Sequence, residues 1–213
     1  MLGDVLLIEK KHEDAAKTIL KRVLKERKEK YMVAISGESG SGKTELAHVL
    51  AKLLKKEGIC AKPIHIDNYY KVPPLERTEW RNRHGFESIG YTEYDWEIIN
   101  GTIRKFKAGK KATMPCIDLV TDQIDTLITN FQDVEMLIID GLYAIKTEGV
   151  DLRVFIELTY HETKKAQIVR GKEPQNEYRM KVLEREHDVV QSLKPAADLL
   201  VNMEYKVVEA HSH

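Results

Sequence analysis

The chain has 213 residues, 42 % hydrophobic and 32 % charged, enough for one ordinary domain with a sizeable core and a well-solvated surface. Its 34 basic and 34 acidic residues cancel, which argues against a nucleic-acid partner, for which a basic excess is expected. No apolar run approaches the roughly 20 residues that span a bilayer, so no membrane partner is expected either.

Val5 to Ile8 is a short apolar run that reads as a strand. Residues 12–29 are amphipathic, with Ala15, Ala16, Ile19, Leu20, Val23 and Leu24 on one stripe. The stretch 10–30 holds nine Lys/Arg against four Asp/Glu. A membrane-surface or nucleic-acid helix is conceivable there, but the interspersed acids and the neutral total favour a solvated outer face on a helix packed against the core. Tyr31 to Ser36 is an apolar run ending at Gly37, as a buried strand should. From Thr44 onward, Leu46, Ala47, Val49, Leu50, Leu53 and Leu54 recur at helical spacing until Gly58 provides a stop. Residues 59–66 read as a strand ending at Asp67, and Pro63, which cannot donate to a ladder, puts that strand at a sheet edge. Residues 71–95, with Pro73-Pro74, are expected to form loops and a short helix over the site. A helix over 96–106 and a basic turn over 107–111 follow.

Val134 and Met136 to Ile139 form a nearly continuous apolar run, as in a central parallel strand covered on both faces. Residues 152–158 read as a strand, 160–170 and 176–191 as helices separated by Gly171-Lys172-Glu173-Pro174, and 197–201 as a last strand. Strands alternating with helices predict an α/β fold with a mostly parallel sheet. Cys60 and Cys116 match no metal spacing and read as reduced core thiols, and Met1-Leu2-Gly3-Asp4 lacks the regions of a signal peptide. The expectation is a cytoplasmic protein.

Residues 37–44 read Gly-Glu-Ser-Gly-Ser-Gly-Lys-Thr, which fits G-x-x-x-x-G-K-[ST], the phosphate-binding P-loop. A strand, a glycine turn and a helix N-terminus aim backbone N–H groups and the positive dipole end at one point, as a triphosphate requires. Gly37, Gly40 and Gly42 permit a close curl, with Glu38, Ser39 and Ser41 between them. Lys43 is placed to reach the β- and γ-phosphates, and the Thr44 hydroxyl to ligate Mg²⁺. The expected organisation is an N-terminal strand and helix over 1–30, a P-loop domain over 31–205 with a lid around 164–179, and a tail over 206–213.

Three further features narrow the chemistry. Asp140 ends the most apolar strand, where a carboxylate holds Mg²⁺; its alternative role is to cap the next turn. Asp67 stands at the carboxyl end of the strand after the P-loop helix, where it can accept the proton of a hydroxyl beside the γ-phosphate, or simply form an Asx turn. Asn68, Tyr69 and Tyr70 follow and could line the acceptor pocket. The segment from Lys164-Lys165 through Arg170-Gly171-Lys172 to Arg179 resembles a basic lid, with Arg170 the first candidate to stabilise transferring charge and Lys172 and Arg179 behind it.

These residues, together with Ile66-Asp67-Asn68-Tyr69-Tyr70, Tyr94-Asp95-Trp96-Glu97, Pro115-Cys116-Ile117-Asp118 and Leu137-Ile138-Ile139-Asp140-Gly141, resemble the uridine kinase / phosphoribulokinase family in order and rough spacing, over about residues 31–201. The resemblance implies a three-layer P-loop kinase fold with a five-stranded parallel core, a substrate-side insertion and a lid. It also implies ATP and Mg²⁺ as cofactors and a small-molecule hydroxyl substrate. Asp67 falls on the family's catalytic aspartate and Tyr70 on a pocket tyrosine; Ile117 and Asp118 fall in the acceptor segment. Asp140 stands where uridine kinases usually carry Glu. The aromatic residues and the His that hold a pyrimidine there are matched here by Ile117, Leu119 and Asp122, and a ribose-binding Asp by Ile89. Glu87 or Glu93 are the candidates to replace that carboxylate. The leading expectation is therefore ATP γ-phosphoryl transfer to the hydroxyl of a nucleoside or another small alcohol. The alternatives are a nucleotide switch or ATPase, against which no Asn-Lys-x-Asp motif occurs, and a nucleotide-binding protein without transfer. A homo-oligomer is compatible with the amphipathic N-terminal helix. By topology, the loop near Asn202 adjoins the adenine.

Overall fold

The computed structural model describes residues 2–170 and 176–210, and of Arg170 the backbone alone. Helix α1 (Lys10–Glu26) precedes strand β1 (Tyr31–Gly37), helix α2 (Lys43–Lys56) and strand β2 (Ala61–His65). A 3-10 turn (Ile66–Tyr69), helix α3 (Pro74–His84) and helix α4 (Trp96–Lys107) lead to strands β3 (Lys111–Asp118) and β4 (Gln123–Asn130). Strands β5 (Met136–Asp140) and β6 (Leu152–Ile156), helices α5 (Lys164–Arg170) and α6 (Glu177–Gln191), and strands β7 (Leu199–Val201) and β8 (Val207–Glu209) complete the order.

The main sheet runs β2-β5-β1-β6-β7-β8. The first five strands are parallel, as expected. The sheet has six strands rather than five, because β8 adds antiparallel to β7. Val207–Glu209 therefore belong to the sheet and not to the expected tail over 206–213. The turn that brings them back is built by the Asn202 carboxamide oxygen, which accepts from the backbone N–H groups of Glu204 and Lys206, and by Tyr205 at φ +62°. Asn202 therefore organises this turn. A three-residue strand carries too little alternation to be read from sequence.

Alternate residues of the central strands face opposite layers. Met32, Ala34, Leu137 and Ile139 pack with Ile99, Ile103 and Phe106 of α4. Val33, Ile35 and Ile138 pack with α1 and α2 on the other face. The result is the expected three-layer α/β/α arrangement. Helix α1 is part of it: Ala15, Ala16, Ile19, Leu20 and Val23 are buried with Leu46, Leu50 and Leu54 of α2. Its basic residues lie outward and include i,i+4 pairs such as Lys10–Asp14 and Arg22–Glu26. Pro63 sits in edge strand β2, as its missing N–H requires.

Two local expectations fail: Cys60 is exposed just before β2 rather than in the core where Cys116 lies, and the expected first strand is absent. Val5 to Ile8 form no strand; Val5 and Ile8 are exposed, and the Leu7 N–H donates to the Glu45 carboxylate at 3.1 Å. It is Leu2 that bridges to the second sheet, exchanging backbone bonds with Ile117 and Leu119. That sheet is the antiparallel hairpin of β3 and β4, paired from Lys111–Asn130 to Asp118–Gln123. No periodicity in the sequence marks this hairpin, because β4 is largely solvent-facing and lacks a polar/apolar alternation. Among the described residues no helix is long and apolar enough to cross a membrane.

Candidate active site

The glycine turn follows the innermost strand and opens α2. Gly40 has φ +76° and Gly42 φ +93°, which residues with a Cβ rarely adopt. A Cβ on Gly42 would come within 2.5 Å of the Tyr205 hydroxyl and 2.6 Å of His12 Nε2. The turn is thus braced from behind by α1 and by the turn before β8. Tyr205 donates to the Ser41 carbonyl at 3.1 Å. The Glu9 N–H donates to His12 Nδ1 at 2.9 Å, and burial holds the His12 pKa below its ordinary value, so its neutral ring carries the proton on Nε2.

Glu38 points away from the cleft. Its buried carboxylate accepts from the Tyr160 N–H at 2.7 Å and from Gln191 Nε2 at 2.6 Å, and pairs with His187 Nδ1 at 2.7 Å. Those bonds satisfy a buried acid and tie the turn to α6. Lys43 Nζ donates to the Glu38 carbonyl at 2.7 Å. The Ser39 carbonyl accepts from Thr163 Oγ1 at 2.7 Å and from Gln167 Nε2 of α5 at 3.3 Å, and Arg179 Nη2 of α6 donates to Ser39 Oγ at 3.5 Å. Helices α5 and α6 therefore close directly on the turn. Ser41 Oγ is buried with no hydrogen-bond partner among the described residues.

Two carboxylates meet at the carboxyl ends of the strands. Asp140, 2 % exposed at the end of β5, contacts the His65 ring and the Thr44 hydroxyl. Burial by itself would raise its pKa, yet His65, Thr44 and the Lys43 charge hold it below the usual carboxylate range. Asp140 thus faces the P-loop rather than capping a turn. His65, which the sequence reading passed over, is its neighbour because β2 pairs with β5 in register. Asp67 follows in the 3-10 turn, beside Gly141, where an added Cβ would lie 3.3 Å from Asp67 Oδ1. The Tyr94 hydroxyl donates to Asp67 Oδ1 at 3.1 Å. β5 lies between the strands that carry Asp67 and the P-loop, so the two approach only beyond the strand ends.

A cleft of about 520 Å³ joins the P-loop and Asp67, within the size range of small-molecule sites, while buried Asp140 and its neighbour His65 do not line it. Ser39, Gly40, Lys43, Thr44, Asp67, Tyr70 and Ile117 line it, as do Leu119, Asp122 and Arg179. Other predicted residues do not. Asp118 caps the hairpin turn by accepting from the Val120 N–H at 2.8 Å. Glu87 is exposed beside Gly85 and stands outside the cleft wall. Glu93 is buried and engaged by Arg81 at 2.6 and 3.2 Å, and Ile89 is core. None of Asp118, Glu87 and Glu93 is therefore presented to a substrate. Lys172 and the Arg170 side chain lie outside the described residues. The wall also includes Arg77, Arg81, Tyr178 and Glu186, which belong to no motif and were not foreseen. The one visible signal was the i,i+4 spacing of Arg77 and Arg81 after Pro73-Pro74.

The donor set fits Mg²⁺. Thr44 hydroxyl and Asp140 carboxylate oxygens lie together, and this hard cation takes one or two protein oxygens, with water and phosphate completing its shell. Glycines with φ that side chains disfavour, and the orphaned Ser41 hydroxyl, fit a phosphate cradle.

Comparison with known proteins places this geometry. The Ureaplasma parvum serovar 3 uridine kinase is 29 % identical over 157 residues, covering 68 % of this chain and 70 % of that one. A possible uridine kinase from Bacillus stearothermophilus shares the fold at TM-score 0.65 and 23 % identity, over 88 % of this chain and 97 % of that one. D-glycerate 3-kinase from Cryptococcus neoformans shares it at TM-score 0.59 and 11 % identity, over 94 % and 97 %. The model of the phosphoribulokinase / uridine kinase family matches residues 32–201, and with the P-loop kinase fold around this cleft the chain belongs to that family of small-molecule kinases.

Proposed function

We propose that the protein transfers the γ-phosphoryl group of ATP to a hydroxyl of a small alcohol, with Mg²⁺ as cofactor. The observation that carries this reading is the shared cleft: Asp67 on one wall, Lys43 and Thr44 of the P-loop on the other. Asp67 accepts the proton of the acceptor hydroxyl as its oxygen attacks the terminal phosphorus and the bond to the ADP oxygen breaks. Tyr94 holds that carboxylate in one orientation. Lys43 and Arg179 place positive charge around the phosphates, and Thr44 and Asp140 hold the cation. When bound, Mg²⁺ neutralises phosphate charge and orients the chain for in-line displacement. The uridine kinase relatives make a nucleoside one acceptor to test. Ile117 and Leu119 in the cleft, where uridine kinases carry rings, support a broader panel.

The test measures acceptor-dependent ADP release with MgATP across nucleosides, sugars and hydroxy acids. Asp67→Asn is expected to lower transfer by about 10²–10⁴-fold while ATP affinity is kept. Normal turnover in that variant removes Asp67 from the chemistry. ATP hydrolysis indifferent to every acceptor points to an ATPase instead.

A further inference from the structure

Helix α3 starts at Pro74 and lays two arginines one turn apart along the cleft wall, and their situations differ. Arg81 is buried and matched: Nε and Nη2 meet the Glu93 carboxylate at 2.6 and 3.2 Å, and Nη2 lies 3.5 Å from Glu186. Arg179, across the cleft, shares Glu186 at 3.5 Å. Arg77 is half-buried, and among the described residues it makes no ion pair, although Asp67 and Asp122 line the same cleft. Its guanidinium carbon rests 3.6 Å from the centre of the Tyr70 ring, and its Nε is buried with no hydrogen-bond partner.

A buried donor without an acceptor is costly, and a guanidinium presents a planar fork that matches the two oxygens of a carboxylate or phosphate. The stack on Tyr70 fixes the plane of that fork. It also occupies the ring. Tyr70 is contacted by Tyr94 at 4.2 Å between centroids and covered by Arg77, so this ring of the cleft wall is already engaged and gives a flat base little to stack on. The hairpin wall supplies Ile117 and Leu119, which have no ring to offer.

We propose that the alcohol taken by this cleft carries an anionic group, a carboxylate or a phosphate, seated on Arg77 while its hydroxyl faces Asp67. The inference rests on the kinase reading above and names the acceptor class of the same site. Arg77 acts here as a specificity-determining residue. Its charge discriminates against neutral alcohols, because in their absence of charge the fork stays unmatched.

The test titrates the full chain, loaded with Mg²⁺ and a non-hydrolysable ATP analogue so that the P-loop is filled, with three probes by calorimetry: glycerate, glycerol 3-phosphate and glycerol. The wild-type chain is expected to bind one anionic probe at least about 10-fold more tightly than glycerol, and the preferred probe tells carboxylate from phosphate. Arg77→Ala is expected to weaken that probe by about 10- to 100-fold. Arg77→Lys, which keeps charge but loses the fork, should fall between them. Nucleotide affinity should be equal in all three proteins, which shows that the variants are folded. Absence of any preference over glycerol overturns the inference, as does a preference that survives Arg77→Ala. Acceptor-dependent transfer to neutral alcohols with a KM untouched by Arg77→Ala also overturns it and leaves the kinase reading standing. Failure of acceptor-dependent transfer in every case strikes the kinase reading itself.

Discussion

Tyr94 shows how one buried hydroxyl serves the candidate base. Burial first, and the Asp67 charge second, push its pKa well up, so it remains a donor and cannot compete for the proton that Asp67 is placed to take. Tyr94→Phe keeps the ring contacts with Tyr70 and Tyr143 and deletes the hydrogen bond from its hydroxyl to the carboxylate. We expect kcat to fall about 10-fold, the effect of one charged hydrogen bond, with nucleotide affinity unchanged; equal kcat in the two proteins refutes the orienting role. The sequence displayed Asp67 through its place after a strand, whereas Tyr94 stands 27 residues away and is recognisable as its partner only once the chain is folded. The same holds for Glu38. Its place in the P-loop suggested nucleotide contact, but three partners at positions 160, 187 and 191 turn it inward.

At the scale of elements, α1 was expected as an extension and proves to be a buttress. Its apolar stripe is readable from period 3.6, but its bracing of the site comes from His12 lying against Gly42 at the start of the next helix, with Leu7, just before α1, bonded to Glu45 of that helix. This contact is pH-sensitive with a definite sign. Burial lowers the His12 pKa, against an opposing pull from Glu45 and with a smaller lowering by Lys11. The unfolded chain therefore takes the proton more readily. Stability from this group is complete above the unfolded value near about 6.5 and declines as pH falls from there toward the lower folded value. Urea midpoints measured between pH 8 and pH 5.5 should drop more steeply for the wild-type chain than for His12→Gln. His48, whose pKa burial also lowers, contributes equally to both and cancels in the comparison. Identical slopes would show that His12 does not titrate in this window. The hairpin of β3 and β4 illustrates the opposite case. Its outer strand exposes Ile128 at 76 %, so no burial pattern marked it, and register came from pairing alone.

For the whole molecule, the sheet order sets the active site. β1 lies between β5 and β6, so the P-loop, Asp140 and Asp67 gather beyond the carboxyl ends of neighbouring strands. A ligand that binds there holds α5, α6 and the α1 buttress to one centre, and its binding energy adds to folding stability. A non-hydrolysable ATP analogue with Mg²⁺ at about 100 times its Kd should add about 2.7 kcal/mol, or about 5–10 °C in thermal midpoint. Chelation of Mg²⁺ should shrink the shift, and a midpoint indifferent to the nucleotide refutes the cradle. The amino-acid sequence by itself determined the P-loop, the alternation of strands and helices, the edge position of the Pro63 strand and the family, because glycine spacing, apolar periodicity and a missing N–H act over a few neighbouring residues. Only the tertiary structure decided that Asp140 meets Thr44 and His65, that Asp118 and Glu93 are spent on a turn and on Arg81, and that Arg77 faces the cleft with no ion pair among the described residues. Those outcomes depend on which distant charges arrive within hydrogen-bond reach, and that distance is set by packing of whole layers rather than by local pattern.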